Sequence, residues 1–230
     1  MQKVSPIVDE MFAAGAHYGY SKTRRHPSTS KYIFTTKNKV DLIDLEKSSE
    51  MLAAAQSFVA ELSRLGKQIL IVGVKPEAKG AARDLSLELS MPVVTERWVG
   101  GCLTNYPEIK KRIERLEQLK ADRASGALDK YTKKERGLLD IEIEKLNKLF
   151  SGLVNLKKTP DALFVVDPKR EHIAVTEAHK MGVPVIALCS TDTNLKGIEH
   201  PILGNDGSIA SIKFFMNKIG EAYRGGYHVA

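Results

Sequence analysis

Arg97-Trp98-Val99-Gly100-Gly101-Cys102-Leu103-Thr104-Asn105 is the stretch on which the reading of this 230-residue chain turns. N-terminal to it, apolar runs alternate with helix-period segments. C-terminal to it, residues 106–150 read as helix throughout, and then the alternation resumes. The stretch holds the single tryptophan and one of the two cysteines. Trp98 is large enough to wedge an emerging arm against an apolar surface. Gly100 and Gly101 let the backbone turn, and Thr104 or Asn105 is placed to cap the outgoing helix. These five residues are the expected structural hinge.

Working outward, the body follows one grammar. Residues 5–16 predict a short amphipathic helix, with Ser5-Pro6 as its start and Ile7, Val8, Met11, Phe12 and Ala16 on one face. Tyr32-Ile33-Phe34 and Val40–Ile43 flank Asn38 as a loose hairpin. A helix from Asp44 or Leu45 runs to Leu65, and Gly66 ends it. The run 68–72 (QILIV) is a buried strand. Pro76 opens a helix that closes at Met91-Pro92, before a short strand at Val93-Val94. Later come a strand at 161–166, a turn and helix over 167–181, a strand at 184–188, a polar loop over 190–197 and a short extended piece at 200–202. A closing helix over 207–223 should turn Ile209, Ile212, Phe215, Met216 and Ile219 inward. Strands alternating with helices build a parallel sheet through right-handed crossovers. The expectation is one α/β domain from 1–105 and 151–230, interrupted by an inserted segment, 106–150.

Within the insert, Ile109, Ile113, Leu116 and Leu119 mark one seam, and Leu139, Ile143, Leu146 and Phe150 mark another. Ser125-Gly126-Ala127 forms the turn between them. Two helices with narrow seams and charged outer faces predict an antiparallel coiled-coil hairpin. From Pro107 to Arg136 it carries ten Lys/Arg against six Asp/Glu, so the arm is basic.

The whole chain is basic, with a net charge of +7, which directs attention to polyanionic partners. Within 20–39, Lys22, Arg24, Arg25, Lys31, Lys37 and Lys39 occur with no acidic residue among them, interleaved with His26, Tyr32 and Phe34. Clustered Lys and Arg suit phosphate neutralisation, and the aromatic residues suit stacking on unpaired bases. A solubilising rim with its aromatic rings tucked inward fits the same pattern. The longest apolar run, residues 69–74, is too short to span a bilayer. The N-terminus has no apolar stretch of the secretory kind. Two cysteines without a CxxC motif give neither a zinc ribbon nor a disulfide framework, which suits a reducing compartment.

Other chemistries find little support. The turn after the first central strand, Gly73-Val74-Lys75-Pro76-Glu77, has one glycine where a dinucleotide fingerprint needs three, and it lacks the Gly-Lys-Ser/Thr of a phosphate loop. The six histidines are scattered. His172 and His179 stand about 10 Å apart along one helix, too far for one ion. No GxSxG motif is present, and neither cysteine has a local histidine partner. No catalytic residue, metal ligand, cofactor, small-molecule substrate or membrane is therefore expected. A Rossmann-type nucleotide-binding enzyme and a free-standing coiled-coil adaptor stay open as rivals.

The ordered segments resemble the bacterial-type small-subunit ribosomal protein two family. They are Ala14-Gly15-Ala16-His17-Tyr18-Gly19 followed by a basic loop and Tyr32-Ile33-Phe34, Ile43-Asp44-Leu45-Glu46-Lys47, Val72-Gly73-Val74-Lys75, the hinge itself, residues 160–167, Glu171-His172-Ile173-Ala174-Val175 with Glu177-Ala178, Gly182-Val183-Pro184-Val185 and Pro201-Ile202-Leu203-Gly204-Asn205-Asp206. Departures fall at Tyr20, at His26-Pro27-Ser28-Thr29 and in the loop 190–196. The resemblance implies a flavodoxin-like or Rossmann-like parallel sheet with helices on both faces and an inserted helical hairpin. It implies a non-enzymatic, cytoplasmic component of the small ribosomal subunit that holds ribosomal RNA near the junction of head and body. Neighbouring small-subunit proteins are implied partners, and in many bacteria the family helps dock small-subunit protein one. On this reading Lys22, Arg24, Arg25, Lys31, Lys37 and Lys39 contact phosphates, with Arg97, Lys110, Lys111 and Arg112 as further candidates.

Overall fold

A computed structural model describes residues 5–227. The N-terminal Met1–Val4 and the last histidine, His228, lie outside the described residues. Five parallel strands form the main sheet: β4 (Ile69–Val72), β5 (Val93–Val94), β6 (Ala162–Val166), β7 (Val185–Cys189) and β8 (His200–Leu203), in the order β5-β4-β6-β7-β8. This is the flavodoxin-like order, with its switch point between β4 and β6.

The continuous apolar character of these strands has a direct cause: both faces are covered. Ile69, Ile71, Phe164, Val166, Ile186, Leu188 and Ile202 face one core, shared with α1 (Pro6–Ala13), α2 (Leu45–Arg64), α3 (Pro76–Leu89) and α7 (Ile209–Tyr227). Leu70, Val72, Leu163, Val165, Val185, Ala187 and Leu203 face the other, shared with Trp98, Leu103 and α6 (His172–Met181). The period-2 alternation of a strand thus divides its residues between two apolar layers.

The sequence-level boundaries hold for most elements, and local chemistry explains them. The Asp44 carboxylate caps α2, accepting from the amides of Glu46 and Lys47. Gly66 at φ +61° ends that helix. Pro76 occupies the first turn of α3. Ile209 is a correction. It is 64% exposed rather than inward, because the face of the first turn that meets the core is that of Ser211 and Ile212, both fully buried.

Residues 106–150 fold as α4 (Tyr106–Ala124) and α5 (Lys133–Phe150), joined through a 3-10 turn at Ala127–Lys130. Thr132 and Glu135 form a capping box at the start of α5. Ile109, Ile113, Leu116, Leu119, Ile143, Leu146 and Phe150 are buried between the helices, while Leu139 is half-buried. Arg115–Glu142 at 3.1 Å and Arg123–Asp140 at 3.5 Å link the two helices across their surface. This seam runs without a break into the core beneath Trp98 and Leu103.

A second, three-stranded sheet has the order β1-β3-β2: β1 (Tyr18–Ser21), β2 (Ile33–Lys37) and β3 (Val40–Ile43), all antiparallel. Asn38 at φ +51° and Lys39 at φ +65° form the tip between β2 and β3. Positive φ at both central residues is the turn that matches strand twist in a two-residue hairpin.

Candidate nucleic-acid interface

The small sheet presents the basic loop, and the loop over 190–197 holds it to the main sheet. Although polar in sequence, this loop is buried from Ser190 to Thr193. The Thr191 hydroxyl accepts from the Tyr20 amide at 2.9 Å. The Thr191 carbonyl accepts from the His26 amide at 2.9 Å and from the Thr29 hydroxyl at 2.8 Å. Ser28 donates to the Thr193 carbonyl and accepts from the Leu195 amide. Gly19 is required here because a Cβ at that position would lie 2.4 Å from the Thr191 methyl. Sequence reasoning missed this anchorage. Its partners lie more than 160 residues apart, and the only local sign was a run of Ser, Thr, Asp and Asn.

The six basic residues of 20–39 separate into two groups. Arg25 faces inward. Its guanidinium grips the buried Asp41 carboxylate through two bonds, one of them Nε to Oδ2 at 2.6 Å, and it also donates to Thr36 at 2.8 Å. The Arg25 bonds hold the Asp41 carboxyl below its usual range despite burial. Arg24 donates to Asp192 at 3.0 Å and lies 4.2 Å over the Tyr20 ring, yet its side chain is 55% exposed. Lys31 sits 4.8 Å over the Tyr32 ring. Among the described residues, Lys22, Lys37 and Lys39 are exposed and make no ion pair. Lys22 and Lys39 line one cleft of about 640 Å³ with Ser21, Thr23 and Thr36.

On the hinge and arm, Arg97 and Arg112 are exposed and form no ion pair among the described residues. Lys110 lies 3.8 Å from Glu114, and Lys111 lies 2.6 Å from Glu108. Such exposed pairs are weak and exchange readily for another anion.

The hinge is organised by a residue to which the sequence reading gives no role beyond its place in the family resemblance. Glu177, on α6, accepts from the Trp98 indole at 3.2 Å, the Gly101 amide at 2.8 Å, the Leu103 amide at 3.0 Å, and both the amide and hydroxyl of Thr104 at 3.3 Å. Burial alone would raise the Glu177 carboxyl, but these bonds together hold it below its ordinary value. Two details of the hinge differ from expectation. Asn105 occupies the cap position of α4 without a side-chain bond, and Thr104, the other candidate cap, is directed to Glu177. Only Gly101, at φ +89°, needs glycine's freedom; Gly100 has no positive φ.

The switch-point crevice, where this fold takes nucleotides, is filled by the chain itself. Lys75 Nζ lies 3.1 Å from Asp206 Oδ2, 3.3 Å from Asp167 Oδ2 and 3.3 Å from the Tyr20 hydroxyl. The Asp206 pair rests on distance, since neither of its oxygens receives a well-directed hydrogen bond. Burial works against the Lys75 ammonium, but the two carboxylates outweigh it and raise its pKa. Burial and the Asp167 charge push the Asp206 carboxyl up to about 6. Two carboxylates at this crest have the wrong sign for a pyrophosphate. Gly73 serves packing: a Cβ there would lie 2.6 Å from Ala82 Cβ on α3.

No cluster of three His, Cys, Asp or Glu among the described residues could hold a metal ion. Cys102 and Cys189 are both buried, and burial raises both thiols, Cys102 to about 12. No helix among the described residues is long and apolar enough to cross a membrane.

Comparison with known proteins agrees with this arrangement. The chain is 41% identical over 215 residues to small ribosomal subunit protein uS2 of Thermus thermophilus, covering 94% of this chain and 84% of the relative. It is 39% identical over 216 residues to the protein of that name from Dictyoglomus thermophilum, covering 94% and 88%. For the one from Picosynechococcus it is 36% identical over 225 residues, covering 97% and 88%. The family model for ribosomal protein S2 matches residues 11–226, which takes in both sheets, the hinge and the helical pair, and the chain belongs to that family of structural, non-enzymatic ribosomal proteins.

Proposed function

We propose that this protein binds small-subunit ribosomal RNA through the basic face of its small sheet, near the junction of head and body, in the cytoplasmic ribosome. The body, 1–105 with 151–230, serves as scaffold, and 106–150 serves as an arm. The observation that carries this reading is a set of three exposed lysines without ion pairs among the described residues, Lys22 just after β1 and Lys37 and Lys39 on the β2–β3 hairpin, in a small sheet tied to 190–195 by the hydrogen bonds of Tyr20, Ser28 and Thr29. A prefixed cationic face contacts phosphates without first ordering a loop. Arg24, Lys31, Arg97, Lys110, Lys111 and Arg112 add exposed charge. Arg25 serves the fold instead, because its guanidinium is engaged by Asp41 and Thr36. Phosphate contacts position a protein without reading sequence, so the shape of the RNA supplies selectivity.

A protein neighbour fits a different surface. Phe12 and Phe34 are 63% and 77% exposed beside His17, Leu42 and Ile43, around a groove of about 390 Å³ rimmed by Asp44 and Glu46. Its apolar floor and acidic rim suit a protein segment better than a phosphate backbone, and small-subunit protein one is the neighbour proposed for it. Co-sedimentation with small subunits at rising salt tests the main reading. Lys22→Glu/Lys37→Glu/Lys39→Glu should release the protein at lower salt than the parent, and equal release would remove the hairpin from the interface.

A further inference from the structure

The sheet edge beside β5 carries a charged groove that none of the sites above uses. It is about 450 Å³, and α3, β5 and the base of α5 form its walls. Arg83 and Lys148 line it, together with Asn147, Asn155, Ser86 and Ser151. Glu96, also in the lining, is satisfied from within. Its Oε2 accepts from Lys79 at 2.7 Å and its Oε1 from Arg83 at 3.0 Å. The Arg83 guanidinium, 56% exposed, is held in place by one nitrogen and keeps its other donors for a second acceptor.

The groove does not end at the sheet. Asn147 also lines an adjoining notch of about 630 Å³ between α4 and α5, beside Lys120, Arg123 and Glu144. A path therefore leads from the edge of the sheet onto the helical pair. Lys79, Arg83, Lys148, Lys120 and Arg123 lie along it, against Glu96, Glu144 and the Asp140 that pairs with Arg123 at 3.5 Å.

We propose that this path is a second RNA-contact surface, taking a phosphodiester backbone along β5 and up the inner side of α5. The inference rests on the reading of the protein as RNA-binding and adds a site separate from the basic hairpin. RNA fits better than an acidic protein segment for two reasons. A guanidinium fixed by a carboxylate presents a planar fork that matches phosphate oxygens. The Asn and Ser groups offer both donors and acceptors, which suit a ribose 2′-hydroxyl.

The test compares Arg83→Gln/Lys148→Gln with Arg64→Gln/Lys213→Gln, two exposed cations on α2 and α7, for binding to naked small-subunit ribosomal RNA. Melting curves accompany each variant. With about 0.7 in the log–log salt slope per contact, two lost contacts weaken binding roughly 25-fold at 0.1 M salt. The α2/α7 variant should bind as the parent does. Groove and control variants that bind alike overturn the inference and leave the hairpin reading standing. A parent protein that fails to bind the RNA at low salt overturns both. In assembled small subunits, a photo-crosslinker on Lys148→Cys should capture RNA. Capture of protein alone would assign the groove to a protein partner and overturn the RNA inference.

Discussion

Glu177 accepts the indole N–H of Trp98 at 3.2 Å across 79 residues of chain. The same carboxylate takes two amides and both donors of Thr104 from the loop between β5 and α4. One side chain of α6 therefore fixes the course of the chain as it leaves the sheet to form the helical pair. Trp98, 5% exposed, covers the junction between that pair and the sheet.

Removing the Glu177 charge should loosen this junction. Glu177→Ala leaves several buried donors unpaired, at about 1–3 kcal/mol each, so a loss of at least ~3 kcal/mol is expected in chemical denaturation. The pH dependence has a definite sign. The folded-state pKa of Glu177 is depressed, so its stabilisation is full above the ordinary carboxylate range and disappears as pH falls through the lowered value. The gap in stability between parent and Glu177→Gln should be wider at pH 7 than under acid conditions, and a constant gap would contradict the assignment.

Trp98→Ala should cost about 3–5 kcal/mol, as large aromatic truncations in cores do. Its effect should not add to that of Glu177→Ala, because the two side chains share a bond. A double-mutant cycle measures this, and strict additivity would separate the two residues.

Arg25 and Lys39 should respond in opposite ways. Arg25→Gln leaves the buried Asp41 carboxylate without its principal partner, and stability should fall by about 3 kcal/mol or more. Lys39→Gly relieves a side chain held at φ +65° and should raise stability by up to ~1 kcal/mol. The same change removes a positive charge and should weaken RNA binding. Thermal melts and filter binding on the same two proteins distinguish these outcomes.

Lys75→Met should destabilise the crest of the sheet by roughly 3–5 kcal/mol, since Asp167 and Asp206 would then face one another without their cation. Asp206 already has a raised pKa of about 6, and losing Lys75 should raise it further. The variant should therefore recover part of its stability as the pH is lowered toward 5. A loss independent of pH would count against the carboxylate pair as its cause.

The hinge and the body's helices were legible in the sequence because local chemistry places them: Asp44 as a cap, Gly66 as a stop, Pro76 in a first turn. The central strands were legible as apolar runs, since both of their faces are buried. Periodicity could not identify which distant side chain meets which loop. Glu177 belongs to the segments that carry the family resemblance, but its partners are not legible there, and only the fold brings it beneath Trp98. The loop over 190–197 looked like a solvated connection, yet its buried Thr191 anchors β1 and the basic segment. Arg25 could not be distinguished from Arg24 by composition, although one is engaged by Asp41 and Thr36 and the other, while bonded to Asp192, stays more than half exposed. The strand β1 was missed because its four residues, interrupted by Gly19, have too little apolar pattern to register.

We propose above all that the small sheet, with Lys22 after β1 and Lys37 and Lys39 on its hairpin, contacts RNA phosphates from a prefixed position. The most direct test is the salt dependence of affinity for small-subunit ribosomal RNA, comparing the parent with Lys22→Gln/Lys37→Gln/Lys39→Gln. At about 0.7–0.9 per phosphate contact, the triple variant should lower the log–log slope by about 2 to 3 with little change in melting temperature. An unchanged slope with intact folding would contradict the claim.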